Sequence, residues 1–190
     1  MESIEIASRT AYRLNDTGIC RLAEDELSGP YPSWFSDSEV NSFNTHWKSP
    51  STLSQLESFV HSLINDSSKQ VWAIYSLRDS IHIGNISLQL IDHFNQTAEL
   101  AFLLGEKKYW GKGYGADAAR LVMEHAFKHL NLQRIYLGCF ENNIGMNKLA
   151  MKLGFVQEGV RRKAVFNQGK FRDVVEYGIL KNEFEDNTDC

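Results

Sequence analysis

The chain has 190 residues, of which 43% are hydrophobic and 12% aromatic, so it can bury a core and lacks the composition of a disordered protein. Its formal net charge of −4 at pH 7 gives no electrostatic reason to expect binding to nucleic acid or to an anionic membrane. The three cysteines, Cys20, Cys139 and Cys190, are far apart, and no histidine stands at ligand spacing from them, which argues against a disulfide framework and against a metal site.

No apolar stretch reaches the length of a membrane span, and the first residues lack the apolar core of a signal peptide. We therefore expect a cytoplasmic protein, as a monomer or a homodimer. The length favours one domain over residues 1–190, with a core at about 7–182 and a short polar tail at 183–190.

The first half of the chain predicts a strand at about residues 7–13, followed by a helical and loop-rich stretch at 18–64. One part of that stretch has the i, i+3, i+4, i+7 spacing of an amphipathic helix. Its apolar positions are Leu56, Phe59, Val60 and Leu63.

The middle of the chain predicts three strands whose short connections favour antiparallel pairing. They cover residues 70–76, 82–91 and 97–104. In the second of these strands the apolar residues change parity between Ile83 and Ile86. This change predicts a bulge near Gly84 and Asn85.

The second half predicts a long crossover helix that leads to a parallel strand, then a short helix and two more strands. These elements cover residues 116–130, 132–140, 144–153, 155–166 and 170–180. The order of elements predicts an α/β (α+β) fold. Its sheet would be mixed, twisted and mostly antiparallel, with about six to seven strands and helices on both faces.

Residues 109–116 read Tyr-Trp-Gly-Lys-Gly-Tyr-Gly-Ala, between a predicted strand and the long helix. The glycines leave the main chain bare where the first N–H groups of the helix lack partners, so this glycine loop predicts a phosphate or pyrophosphate site. Gly111, Gly113 and Ala116 also satisfy the dinucleotide-binding fingerprint, although residues 105–110 separate them from the preceding strand. A purely structural turn is the third interpretation.

The segments after the loop add further motifs. Gly113 and Gly115 are followed by Asn143, at the start of a predicted short helix, and by Lys-Leu-Gly-Phe at residues 152–155. Together these motifs resemble those of the GNAT superfamily of acetyl-CoA-dependent N-acetyltransferases. The resemblance implies the GNAT fold and an enzyme that transfers the acetyl group of acetyl-CoA to a primary amine, by direct attack in a ternary complex and without a metal ion.

The tail at residues 158–173 is similar to the branch that contains the ribosomal-protein N-terminal acetyltransferases. This branch favours a protein or peptide α-amine, or a small amine, as the acceptor. Overall, the resemblance covers roughly residues 7–180. A non-catalytic acyl-CoA-binding module remains the alternative from another functional class.

The resemblance also implies which residues hold coenzyme A. Main-chain N–H groups of the glycine loop would bind the pyrophosphate, and the end of the preceding strand would bind the pantetheine arm through its main chain. Trp110 replaces a Gln or Arg of the family pattern, Lys112 either pairs with a phosphate or is a solvated lysine, and Asn143 contacts the cofactor or caps its helix. The complete set is Leu103, Leu104, Trp110, Gly111, Lys112, Gly113, Tyr114, Gly115, Ala116 and Asn143.

A thioester is attacked by a neutral amine, so a base is expected near the site. Glu99, at the start of the strand that leads to the glycine loop, is the first candidate by resemblance, and a solvent-facing charge is its alternative explanation. Asp92 and His93, at the end of the preceding strand, are the second candidates, and a polar turn explains them equally well.

The usual general acid of the family is a tyrosine seven residues after the asparagine, and Ala150 stands at that position. Solvent would then protonate the departing thiolate, since a free thiol has a pKa of about 8.5. Tyr109 and Tyr114, in the glycine loop, are the residues that could replace the missing acid.

The segment at 31–47 is rich in aromatic and polar residues and by resemblance lies over the acceptor pocket. Four of its residues are predicted to wall that pocket, with simple packing as the alternative. They are Trp34, Phe35, His46 and Trp47. A weak likeness of this segment to amino-sugar nucleotide N-acetyltransferases of surface-glycan synthesis makes a nucleotide-linked amino sugar the alternative acceptor, and a polyamine also remains open.

Overall fold

The computed structural model describes residues 9–44 and 52–186. Within these ranges eight strands form one sheet: β1 (Tyr12–Leu14), β2 (Thr17–Arg21), β3 (Gln70–Ser76), β4 (Ile81–Asp92), β5 (Thr97–Leu104), β6 (Arg134–Phe140), β7 (Val156–Asn167) and β8 (Lys170–Leu180). The helices are α1 (Tyr31–Trp34), α2 (Leu53–Ser62), α3 (Tyr114–Lys128), α4 (Ile144–Lys152) and α5 (Lys181–Asp186), with 3-10 helices at Glu24–Ser28 and Lys107–Tyr109. None of the helices in the described ranges is both long and apolar enough to cross a membrane.

The strand order is β1-β2-β3-β4-β5-β6-β8-β7, and every neighbouring pair is antiparallel except β5–β6, which is parallel. The mixed, mostly antiparallel sheet is therefore confirmed, as is the parallel step across α3. The predicted number of six to seven strands was too low. The additional strand is β2, which pairs with β1 across a two-residue turn in which Asn15 has a φ of +53°, a backbone conformation that suits tight hairpins.

The irregularity predicted in β4 lies close to its expected place. Pairing between β3 and β4 shifts between Ile74, opposite Gly84, and Tyr75, opposite His82. Ile83 is therefore the extra residue, one position before the predicted bulge. Because of this insertion, the side chains that follow in β4 lie on the opposite face from the one that uninterrupted alternation would give them. This accounts for the change of parity in the sequence.

Helices cover both faces of the sheet, as predicted. Alternate residues of β3 point to opposite faces: Trp72 and Ile74 pack with α3, α4 and α5 in one core cluster. Val71 and Ala73 pack with α1 and α2 in a second cluster. The sheet thus separates two layers, which we call the α3 face and the α1–α2 face.

Candidate active site

The two parallel strands at the centre of the sheet separate toward their carboxyl ends. Pairing of β5 with β6 is limited to Thr97, Ala98 and Glu99, opposite Arg134, Ile135 and Tyr136. Beyond Glu99, β5 continues to pair only with β4. A wedge-shaped gap therefore opens along the second half of β5, and it exposes main-chain groups that none of the described strands pairs with.

The hydrogen-bonding parity of β5 decides which groups face this gap. The Gly105 N–H donates to the Ile83 carbonyl of β4, so Leu103, two residues earlier, also directs its main chain to β4. Phe102 and Leu104 consequently direct theirs to the gap. Of the two residues predicted to bind the pantetheine arm, only Leu104 directs its main-chain groups toward the gap. Phe102 does so as well, and the sequence analysis did not identify it.

The glycine loop lies at the wide end of the gap. Gly111 and Gly113 have φ values of +70° and +97°, and a Cβ at either position would meet no described heavy atom within 4 Å. The first hydrogen bond of α3 runs from the Asp117 N–H to the Gly113 carbonyl, at 3.0 Å. The N–H groups of residues 114–116 therefore lack helical acceptors and, at the positive end of the helix dipole, they can bind an anion.

Side chains attach this loop to the end of β5. The Trp110 Nε1–H donates to the Leu104 carbonyl oxygen at 2.9 Å. A Cβ on Gly115 would come within 3.2 Å of Leu104 Cδ1, so the first turn of α3 lies directly against that side chain. Lys112, in the middle of this loop, is exposed.

Asn143 caps the short helix on the other side of the gap. Its Oδ1 accepts the Met146 N–H at 3.1 Å, at the N-terminus of α4, which is one of the two roles expected from the sequence. Contact of Asn143 with the cofactor stays a prediction. Ala150, further along α4, has no exposed surface, so this position offers no polar group to the gap.

Glu99 lies where the gap opens. Its neighbours Ala98 and Leu100 are buried in the cluster on the α3 face, so the Glu99 side chain lies on the α1–α2 face. It stands opposite Gln89 of β4 and Tyr136 of β6. Burial raises the pKa of Tyr136, and the nearby Glu99 carboxylate raises it further.

Asp92 and His93 lie in the turn between β4 and β5. The Asp92 carboxylate accepts the main-chain N–H groups of Phe94 and Asn95, at 2.9 and 2.8 Å, and the Asn95 side-chain amide at 2.7 Å. These bonds lower the pKa of Asp92, which makes it a weaker base. His93 is exposed, and no group of three His, Cys, Asp or Glu side chains in the described chain is arranged to hold a metal ion.

The two loop tyrosines point into the protein. Tyr109 donates to Asp79 Oδ2 at 2.7 Å, and the Tyr114 hydroxyl lies 3.1 Å from Ser76 Oγ. Their rings meet edge to face with centroids 5.3 Å apart. Both hydroxyls are therefore engaged at the end of β3.

A cavity of about 280 Å³ lies on the α1–α2 face, over β3, β4 and β5. Its lining consists of Tyr31, Phe35, Asn44, Phe59, Lys69, Val71, Asn85, Ser87, Gln89, Ala101, Phe102 and Leu103. Phe35 is thus the predicted pocket residue that the structure places in the wall. Trp34 is instead 3% exposed and packs in the core, with its Nε1–H bonded to Glu106, while His46 and Trp47 lie outside the described residues.

The polar floor of this cavity was missed at the sequence level. Asn85, Ser87 and Gln89 alternate along β4 and share one face. Asn85 and Ser87 are only 7% and 6% exposed. Three polar residues at i, i+2 and i+4, which alternate with apolar residues in the middle of β4, are the signal that could have identified them.

A buried histidine fixes the orientation of Asn85. His82 Nε2 lies 2.9 Å from both the Gly84 carbonyl oxygen and Asn85 Oδ1. Because the carbonyl can only accept, Nε2 carries the proton and the amide presents its oxygen to it. Burial lowers the pKa of His82 and so favours the neutral ring. Its Nδ1 has no hydrogen-bond partner among residues 9–44 and 52–186. The Nδ2 donor of Asn85 is left for the cavity.

Comparison with known proteins gives a family match and a similar fold. The sequence model of the family described as "Acetyltransferase (GNAT) domain" matches residues 19–156. The chain is 36% identical over 115 residues to the probable N-acetyltransferase YjcK of Bacillus subtilis, a match that covers 60% of this chain and 63% of YjcK. It is 30% identical over 106 residues to the spermidine N(1)-acetyltransferase of Escherichia coli K12, which covers 56% of each chain. The chain thus spans less than two thirds of the length of these relatives.

Among solved structures, the fold is similar to spermidine N-acetyltransferase from Vibrio cholerae in complex with CoA and spermine. The TM-score is 0.81 and the identity 22%, over 90% of this chain and 98% of that one. At this identity the likeness establishes the fold.

Proposed function

The chain belongs to the GNAT acetyltransferase family, and on that premise we propose that it is one N-acetyltransferase domain that transfers the acetyl group of acetyl-CoA to a primary amine. The acceptor amine attacks the thioester directly in a ternary complex. A peptide α-amine or a small amine is the proposed acceptor class.

One observation carries this proposal: the gap between β5 and β6 leads directly to the unpaired N–H groups at the start of α3. The Trp110–Leu104 hydrogen bond connects the two features. In the proposed complex, residues 111–116 bind the pyrophosphate of coenzyme A, and the main chain of Phe102 and Leu104 binds the pantetheine arm as an added strand would. The Vibrio cholerae spermidine N-acetyltransferase structure is a complex with CoA, which supports coenzyme A as the ligand proposed here.

Acetyl-CoA supplies the thioester carbon that the amine attacks and the thiolate that leaves. Glu99 is the proposed base, because it lies where the gap opens and on the same face as the cavity. It takes the proton that the amine loses as the nitrogen–carbon bond forms and the carbon–sulfur bond breaks. With Ala150 buried, water protonates the thiolate, which is a good leaving group.

The test is release of free thiol from acetyl-CoA by the purified chain, measured with a panel of peptides, small amines, polyamines and amino-sugar nucleotides. The proposal expects thiol release that depends on the amine, and an acetylated product of matching mass. Tight binding of acetyl-CoA without release by any amine would instead support a non-catalytic acyl-CoA-binding module.

A further inference from the structure

The charge balance of the cavity on the α1–α2 face is informative about the acceptor. Among its described lining residues Lys69 is the only charged side chain. The segment 45–51, which lies outside the described residues, contains no Asp or Glu in its sequence. A site for a polycation would instead be expected to contain carboxylates that compensate the charge.

The Lys69 ammonium interacts electrostatically with the Asp66 carboxylate, but the two groups do not form a salt bridge. Lys69 is half-buried, its Nζ lies 5.8 Å from the centroid of the Phe59 ring, and no ion pair joins it to a carboxylate among residues 9–44 and 52–186. A cation that is partly removed from water and held over an aromatic ring favours an anionic ligand nearby.

Two polar residues that line the cavity together with Lys69 present hydrogen-bond donors to it. His82 occupies the Oδ1 of Asn85, so the amide of Asn85 presents its Nδ2–H groups to the cavity. The Gln89 amide donates to Ser87 Oγ at 2.9 Å, which leaves the Ser87 hydroxyl proton free to be donated. A cation together with an amide and a hydroxyl donor matches the acceptor oxygens of a carboxylate or a phosphate.

We infer that the acceptor is a small amine that also carries a carboxylate or phosphate group, and that Lys69, Asn85 and Ser87 bind this group. The inference rests on the proposed acetyl transfer. With the anion held at these residues, the amine end of the molecule points along the cavity toward Glu99, which stands opposite the lining residue Gln89. A cavity of about 280 Å³ suits a small molecule.

The experiment compares kcat/KM for matched amines that differ in one anionic group. Glucosamine 6-phosphate is paired with glucosamine, 4-aminobutyrate is paired with butylamine, and spermidine serves as the polycation. We expect the anionic member of one pair to be preferred by about tenfold or more, the gain typical of hydrogen bonds to a charged group, and the pair that responds identifies phosphate or carboxylate.

Variants of Lys69 then assign the preference to this residue. Lys69→Met should remove the preference through a higher KM, with kcat for the uncharged amines retained, and Lys69→Glu should shift the preference toward spermidine. The matched control is Lys128→Met, which removes the same charge from α3 on the opposite face and should leave every rate unchanged.

Two results would overturn the inference and leave the proposed function standing. One is equal kcat/KM within both pairs, and the other is a preference for spermidine that Lys69→Met does not alter. Absence of thiol release with every amine is a different result, which contradicts the proposed function and the inference together.

Discussion

The indole N–H of Trp110 donates a hydrogen bond of 2.9 Å to the carbonyl oxygen of Leu104, so the glycine loop is fastened to the last residue of β5. Trp110 stands where the family pattern has Gln or Arg, residues whose side chains could themselves reach a phosphate. Here the side chain is turned back on its own strand. Its contribution is to hold the loop beside the gap, so that the unpaired N–H groups of α3 and the main chain of β5 face one ligand.

Trp110→Phe tests this fastening, because it keeps an aromatic ring and removes the donor. One net hydrogen bond contributes about 1 kcal/mol, so we expect coenzyme A to bind about threefold to tenfold more weakly, with a small fall in melting temperature. Isothermal titration calorimetry with coenzyme A is the measurement. An unchanged dissociation constant would show that the loop keeps its place without the bond.

Gly113→Val tests the anion site itself. The side chain would stand over the N–H groups at the start of α3, so we expect coenzyme A affinity to fall by about tenfold or more. Gly115→Val is a poorer choice, because its Cβ would press on Leu104 and Leu149, 3.2 and 3.7 Å away.

A valine at the positive φ of Gly113 also strains the backbone, and Gly169→Val provides the control. Gly169, in the β7–β8 turn, has a φ of +76° and, as at Gly113, a Cβ there would meet no described heavy atom within 4 Å. Both variants should lose stability, and only Gly113→Val should lose affinity. Equal affinities would remove the pyrophosphate from this loop.

The sequence predicted β3, β5 and β8 with their observed bounds because their alternating or continuous apolar runs end at clear turns. It missed β2 because Thr17, Gly18, Ile19 and Cys20 are all buried. A strand covered on both faces shows no alternation.

The site, like the fold, could be predicted from the sequence only where its signal is local. The glycine loop could be found because its chemistry lies in consecutive main-chain groups. The cavity is assembled from α1, α2 and three strands, so its residues meet only after folding, and Lys69 has no local signal that separates it from a surface lysine. The parity that turns Phe102 and not Leu103 to the gap depends on the register with β4, which a one-residue shift would reverse.

Glu99→Gln tests the proposed base. A positioned base contributes about 10²–10⁴-fold to the rate, so we expect turnover at neutral pH to fall by that order, while coenzyme A affinity is retained. Asp92→Asn is the comparison: because Asp92 accepts the N–H groups of its own turn, its loss should lower the melting temperature and leave turnover near wild type. If Glu99→Gln keeps the wild-type rate across about pH 6–9, the role passes to Asp92, His93 or solvent.

His82 predicts that the protein loses stability in weak acid. Burial holds the pKa of this histidine below its usual value near 6.5, so the unfolded chain takes up a proton there that the folded chain does not. The free energy of unfolding should therefore fall as the pH drops below about 6.5, by at most about 1.4 kcal/mol per pH unit from this residue.

His82→Gln, which keeps a side-chain donor near Asn85, should flatten this slope in urea unfolding measured between about pH 7.5 and 5.5. Burial also lowers the pKa of His125, so part of the slope should remain in this variant. Identical slopes in wild type and His82→Gln would show that His82 does not titrate below its unfolded value.

Tyr109→Phe and Tyr114→Phe test whether a general acid has moved into the glycine loop. The two hydroxyls contact Asp79 and Ser76 at the end of β3, and a thiolate needs less help to leave than an alkoxide. We therefore expect each variant to keep most of its turnover. Tyr114→Phe should also lose some stability, because Ser76, the partner of its hydroxyl, is buried. Asp79, the partner of Tyr109, is exposed, so Tyr109→Phe should lose less. Single-turnover thiol release, measured beside coenzyme A affinity and melting temperature, separates these effects. A loss of about a hundredfold in turnover with affinity intact would mean that one of these hydroxyls reaches the sulfur during the reaction. That tyrosine would then replace the general acid that is missing at Ala150.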